Sequence, residues 1–198
     1  MVDPRTAERL TYRALYFACA GLVLFLGLLP LSQTPTLWPV PDGWQEGLPE
    51  GLLLFGLPVP DVLLCLTLLW VQRRPDFITV WAVAVVFLLS DLLAMRPPGL
   101  WTLIVVVGTE IIRVREADTR DMPPWGEWAV AAVAILGMML AYRLALGLFL
   151  LPDVDTGQAA GAALMTILLY PVLAGILRVT LGLRRAATGE VDQLGKRL

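Results

Sequence analysis

The feature that most constrains this chain is how far apart its charges lie. Six apolar runs follow one another, over residues 12–31, 51–71, 77–95, 99–112, 127–151 and 158–181, joined by short connections. A helix needs about 20 apolar residues to cross a hydrocarbon layer about 30 Å thick. All the runs except the short fourth and the interrupted second approach that length. The second is broken by "LPVPD", which places Pro60 and Asp61 at membrane depth. Apolar residues arranged in such long runs argue for a membrane protein over a large soluble core. Composition agrees: 58% of the 198 residues are hydrophobic and 16% are charged, where soluble domains average about 45–50% and about 25%. Mean hydropathy is +0.73. The expected fold is an all-α integral membrane protein, a six-helix transmembrane bundle forming one domain over residues 1–198, with no soluble domain of ordinary size.

Arg5, Arg9 and Arg13 before the first run give it the look of a signal peptide. The run is long for one, however, and no A-x-A cleavage site follows in "PLSQTPT", so it is expected to remain as a helix. Distribution of charge is more informative than the net value of −2. Alternating the runs across a bilayer puts thirteen of the fifteen basic residues on one face, the exceptions being Arg96 and Arg143. The opposite face receives Asp42, Glu46, Glu50, Asp153 and Asp155. By the positive-inside rule both termini are cytoplasmic and residues 32–50 lie outside. Trp70, Trp81, Trp125 and Trp128 fall near the inner ends of runs, Trp101 near an outer end, and Trp38 and Trp44 in the first outer loop. That is the pattern of an interfacial aromatic belt.

The chain has no histidine, which removes imidazole acid–base chemistry and His metal sites. Cys19 and Cys65 lie in apolar runs without CxxC spacing and read as small buried apolar residues. HExxH, GxSxG and Walker signatures are missing. The expectation is therefore a non-enzyme with no cofactor, no metal and no nucleic-acid partner.

Charges inside hydrocarbon are costly and are functional candidates by default. Glu110, three residues before Arg113 near an inner end, reads as an interfacial acid that pairs locally. Asp61, Asp91 and Arg143 lie deeper. At about 1.5 Å per residue, Arg143 stands roughly 24 Å and Asp91 roughly 21 Å from the inner starts of their runs. Matched depth and opposite sign predict a pair between Asp91 and Arg143, with Asp61 close enough to share the arginine. Asp61 follows Pro60, an arrangement suited to the first turn of a helix, where amide groups and the dipole favour an anion. The trio is either a buried polar cluster that holds the bundle or a binding or proton site. Pro171 in "LLYPVLAG" frees a carbonyl one turn earlier and is expected to kink the last helix. Gly157 and Gly161 have the small-xxx-small spacing that permits close helix approach.

The order of these features resembles the rod shape-determining MreD family. The resemblance covers roughly residues 51–181. It rests on Pro60-Asp61 opening the second run, "RRPD" at 73–76, "SDLL" at 90–93 followed by Gly99, and Pro171 in the last run. "VLLCLTLLWVQRRPDF" and "FLLSDLLAMRPPGLW" are similar to the alphaproteobacterial branch. The family's glycine before the third-run aspartate is not evident in "VVFLLSD". What the resemblance implies is a non-enzymatic, multi-pass inner-membrane scaffold of the cell-elongation machinery. Its partners would be MreC, directly, and MreB, RodA and penicillin-binding protein 2 in the same complex, besides membrane lipid. The family is in turn similar in fold to the substrate-binding subunits of energy-coupling-factor transporters. The alternative expectation is accordingly a small-solute-binding membrane subunit of a transporter.

Overall fold

A computed structural model describes residues 4–28, 59–115, 122–150 and 156–181. Among them are six α-helices, one in each apolar run: α1 (Pro4–Leu28), α2 (Val62–Arg73), α3 (Val80–Leu93), α4 (Leu100–Val114), α5 (Pro124–Leu148) and α6 (Thr156–Thr180). A single 3₁₀ turn, Pro75–Phe77, links α2 to α3. Three helices, α1, α5 and α6, are long and apolar enough to cross a membrane. Residues 29–58, with Trp38, Trp44 and the first part of the expected second span, lie outside the described residues.

Local signals explain where the helices begin and end. Asp61 is the N-cap of α2, its Oδ1 accepting from the Leu64 N–H at 2.8 Å. Pro60 therefore precedes the cap, and Asp61 stands one place before the first turn in which it was expected. Pro75 lacks an N–H and disfavours helical backbone at Arg74, so α2 stops there. Thr79 caps α3 through the Ala82 N–H. At the other end of α3, Arg96 N–H bonds the Asp91 carbonyl and Met95 N–H the Leu92 carbonyl. Met95 adopts φ +52°. This is a Schellman close with methionine where glycine is usual. Pro97-Pro98 then bars continuation, and Gly99 at φ +86° turns the chain into α4. Helix α5 starts earlier than its apolar run, at Pro124, because proline is well accommodated in a first helical turn.

The short helix α2 is the hub. Every residue from Leu63 to Gln72 is buried, so the helix is covered all round, by α1, α4, α5 and α6. Twelve residues span roughly 18 Å, well short of a bilayer core. Helix α3 packs chiefly on α4, and α4 in turn packs on α5. The outward surface is apolar: Leu22, Phe25, Val133, Leu144, Leu148 and Val179 are all exposed. Polar contacts, by contrast, lie between helices. This inversion of the usual soluble arrangement is what a bundle with lipid as its solvent requires.

Two expected belt tryptophans are not at the surface. Trp70 is 0% exposed and Trp101 3%. Trp70 meets the Tyr16 ring edge-on at 5.9 Å, and Trp101 meets Tyr142 at 5.3 Å. Both sit on helices covered on that side by neighbours, so the rings fill the core. Trp81, Trp125 and Trp128 are exposed, as a belt requires.

Candidate functional site: two interhelical polar centres and an apolar groove

The acid in "FLLSDLL" serves the next helix. Gly99, the N-cap of α4, has no side chain to receive the helix's first amides. Asp91, fully buried one turn from the end of α3, reaches across the Pro97-Pro98 turn and replaces it. Its Oδ2 accepts from Gly99 N–H at 3.1 Å, Thr102 N–H at 3.1 Å and Thr102 Oγ1 at 2.8 Å. Oriented amides at a helix N-terminus stabilise a carboxylate as a cation would. Its second oxygen, Oδ1, is buried without a protein partner.

The expected pair with Arg143 does not form. Arg143 Nη2 instead donates to Thr156 Oγ1 at 3.3 Å, joining α5 to the start of α6. The reason is positional: α4 is the main neighbour of α3, and its N-terminus supplies the positive potential that Arg143 was expected to supply. Asp61 is half-buried, and the cation within electrostatic range of it is Arg96. Its backbone N–H donates to Thr166 Oγ1 at 3.0 Å, while Cys65 Sγ lies 3.2 Å from the Thr166 carbonyl. Asp61 therefore ties α2 to α6, Asp91 ties α3 to α4, and Arg143 ties α5 to α6. None of these contacts joins Arg143 to either aspartate.

A second centre lies at the end of the bundle where the arginines gather, and sequence reasoning missed it. Arg73, in the last turn of α2, places Nε 2.9 Å from Glu127 Oε1, in the first turn of α5. Arg73 Nη1 also donates to the Ala174 carbonyl at 3.2 Å, and Tyr170 OH donates to the same Glu127 oxygen at 3.1 Å. The charged side chains are only 10% and 9% exposed. Each charge complements its own helix dipole, the cation at a C-terminus and the anion at an N-terminus. The pair was visible in sequence only as a loop arginine and the first residue of a span.

Pro171 adjoins this centre. It has no N–H for the Ile167 carbonyl, its partner one turn back. Trp128 Nε1 takes that place, donating to Ile167 O at 3.0 Å. The neighbouring 3₁₀ turn is held in the same manner: Arg13 Nε donates to the Phe77 carbonyl at 3.0 Å and Arg113 Nη2 to Ile78 at 2.7 Å. Tyr12 stacks on the Phe77 ring at 4.8 Å. Glu110 Oε1 stands 3.1 Å from Arg113 Nη1, the expected local pair, although the two are not aligned as a hydrogen bond.

Between α4 and α5 an apolar groove of about 1070 Å³ opens on the outside of the bundle. Gly157 and Gly161 occupy the first two turns of α6, Gly157 exposed and Gly161 half-buried. Among the described residues, no three His, Cys, Asp or Glu side chains group as metal ligands. No family model matches the chain, and comparisons with curated proteins and with solved structures return no match.

Proposed function

We propose that this chain is a non-enzymatic scaffold of the bacterial inner membrane, with both termini cytoplasmic. In this reading it binds the single-span protein MreC and helps couple MreB filaments to peptidoglycan synthesis by RodA and penicillin-binding protein 2. One observation carries it: the candidate polar side chains join helices to one another. From α3, Asp91 caps α4, and Arg73, Glu127 and Tyr170 bind α2, α5 and α6 together. A solute-binding subunit would instead aim several such groups into a cavity reachable from outside, and the α4–α5 groove is lined by apolar residues except for Arg115 at one end. The six-helix outline is also compatible with the bundle of the energy-coupling-factor subunits that MreD-like proteins resemble.

Partner helices pack in membranes through small residues that let backbones approach. Gly157 and Gly161 stand four apart on one face of α6 and offer such a place. Co-purification of MreC with this chain in mild detergent tests the reading. Wild type is expected to recover MreC, and Gly157→Leu with Gly161→Leu to recover much less at equal expression. Absence of MreC from wild-type preparations would overturn the assignment. Undiminished recovery by the double variant would remove this face from it.

A further inference from the structure

Helices on one side of the bundle are too short for the bilayer that the other side spans. Contacts at the arginine-rich end hold α2, α3, α4 and α5 together there: Arg73 pairs with Glu127, and Arg113 donates to the Ile78 carbonyl. On α5, exposed surface runs from Trp128 to Leu148, about 30 Å at about 1.5 Å per residue, which is a full hydrocarbon core. On α3, exposed apolar surface runs only from Trp81 to Met95, about 21 Å at the same rise. The far ends agree with this difference. Trp101, in the first turn of α4, meets Tyr142, and Leu148 stands about 9 Å farther along α5. What closes the short side is a non-helical turn in which Ala94, Met95, Arg96 and Pro98 are exposed. Irregular backbone does not face lipid, because its unpaired carbonyls and amides have no water to meet in hydrocarbon.

We propose that the α3–α4 face draws the leaflet farther from the arginine-rich end inward by about 9 Å, so that its headgroups meet the turn from Met95 to Gly99. The partner of this face is a thinned patch of lipid. A short span is otherwise met by snorkelling or by association with another span. Snorkelling serves the Arg96 side chain, but the backbone of the Pro97-Pro98 turn has no such reach. A further apolar helix laid on α3 would cover Leu88 and Leu92 and leave the turn no better hydrated. The proposal goes beyond the scaffold function, and it rests on that reading only in taking the bundle to lie in a bilayer. Its consequence is a step in bilayer thickness across one small protein, which gathers shorter acyl chains and shorter spans on the α3 side.

Depth measurement by spin labelling tests this in the full chain, reconstituted in dioleoylphosphatidylcholine vesicles. Single labels are placed through Leu88→Cys, Met95→Cys, Leu144→Cys and Leu148→Cys in a background of Cys19→Ala with Cys65→Ala, and their access to oxygen and to a nickel chelate is compared. Labels at 95 and 148 should both read headgroup depth, and those at 88 and 144 hydrocarbon. A label at 95 that lies about 9 Å below the headgroups would overturn the proposal, since the bilayer would then keep its full thickness over the turn. Nickel access at 88 would also overturn it, by showing a water-filled cleft. So would shielding of 88 and 95 from both reagents, the sign of a covering protein. Lamellar X-ray diffraction needs no cysteine removal. Adding the unaltered chain to oriented multilayers of the same lipid should shorten the spacing between phosphate planes, and an unchanged or longer spacing would overturn the proposal. Neither measurement needs MreC, so failure here is distinct from failure of the scaffold reading.

Discussion

Replacing Asp91 by alanine removes the acceptor of three hydrogen bonds at the start of α4. Gly99 is half-buried and its amide can find water, but Thr102 is 8% exposed and leaves an amide and a hydroxyl without their acceptor. A buried donor left unmet costs about 1–3 kcal/mol, so the expected loss is about 3 kcal/mol. Asparagine keeps one oxygen in place and loses the charge, which should cost about 1 kcal/mol. Unfolding by dodecyl sulfate in mixed micelles, followed by tryptophan fluorescence, measures both. The same assay separates helix capping from pairing with Arg143. If Asp91 serves α4 and Arg143 serves Thr156, then Asp91→Ala and Arg143→Ala are additive to within about 0.5 kcal/mol. A coupling above about 1 kcal/mol, or a loss from Asp91→Ala below about 1 kcal/mol, would refute the capping role.

Glu127→Ala removes the carboxylate that faces the buried Arg73 guanidinium and should cost about 3–5 kcal/mol, while the neutral pair Arg73→Met with Glu127→Leu should regain most of it; the same unfolding titration compares them. Trp128→Phe removes the donor that serves Ile167 and should cost about 1 kcal/mol. Restoring an N–H with Pro171→Ala in that background should recover the loss, and no recovery would show that the indole contact is incidental.

The six helices follow directly from the apolar runs, because exclusion from water is a property of each run by itself. Long-range partnership is not. Asp91 could be recognised from sequence as a buried acid, yet its partner depended on Gly99 having no side chain and on a turn short enough to bring α4 back to it. Depth matching proposed Arg143 because depth is readable along a run, whereas which helices are neighbours is not. Arg73 and Glu127 are 54 residues apart, and each has an ordinary explanation alone, a loop cation and a first-turn acid. Trp70 and Trp101 were placed in the belt for a similar reason. A ring near a run's end looks the same whether its side faces lipid or another helix.

Complementation in rod-shaped bacteria depleted of MreD, scored by cell shape, tests most directly the proposal that the polar centres are architecture for a scaffold. The test chain carries Arg73→Met, Glu127→Leu and Asp91→Asn together, and its folded level in membranes is measured alongside. If those side chains only hold helices, the folded variant restores rods and still recovers MreC. Round cells at a normal level of folded protein would show that the charges themselves act, and would contradict the scaffold reading.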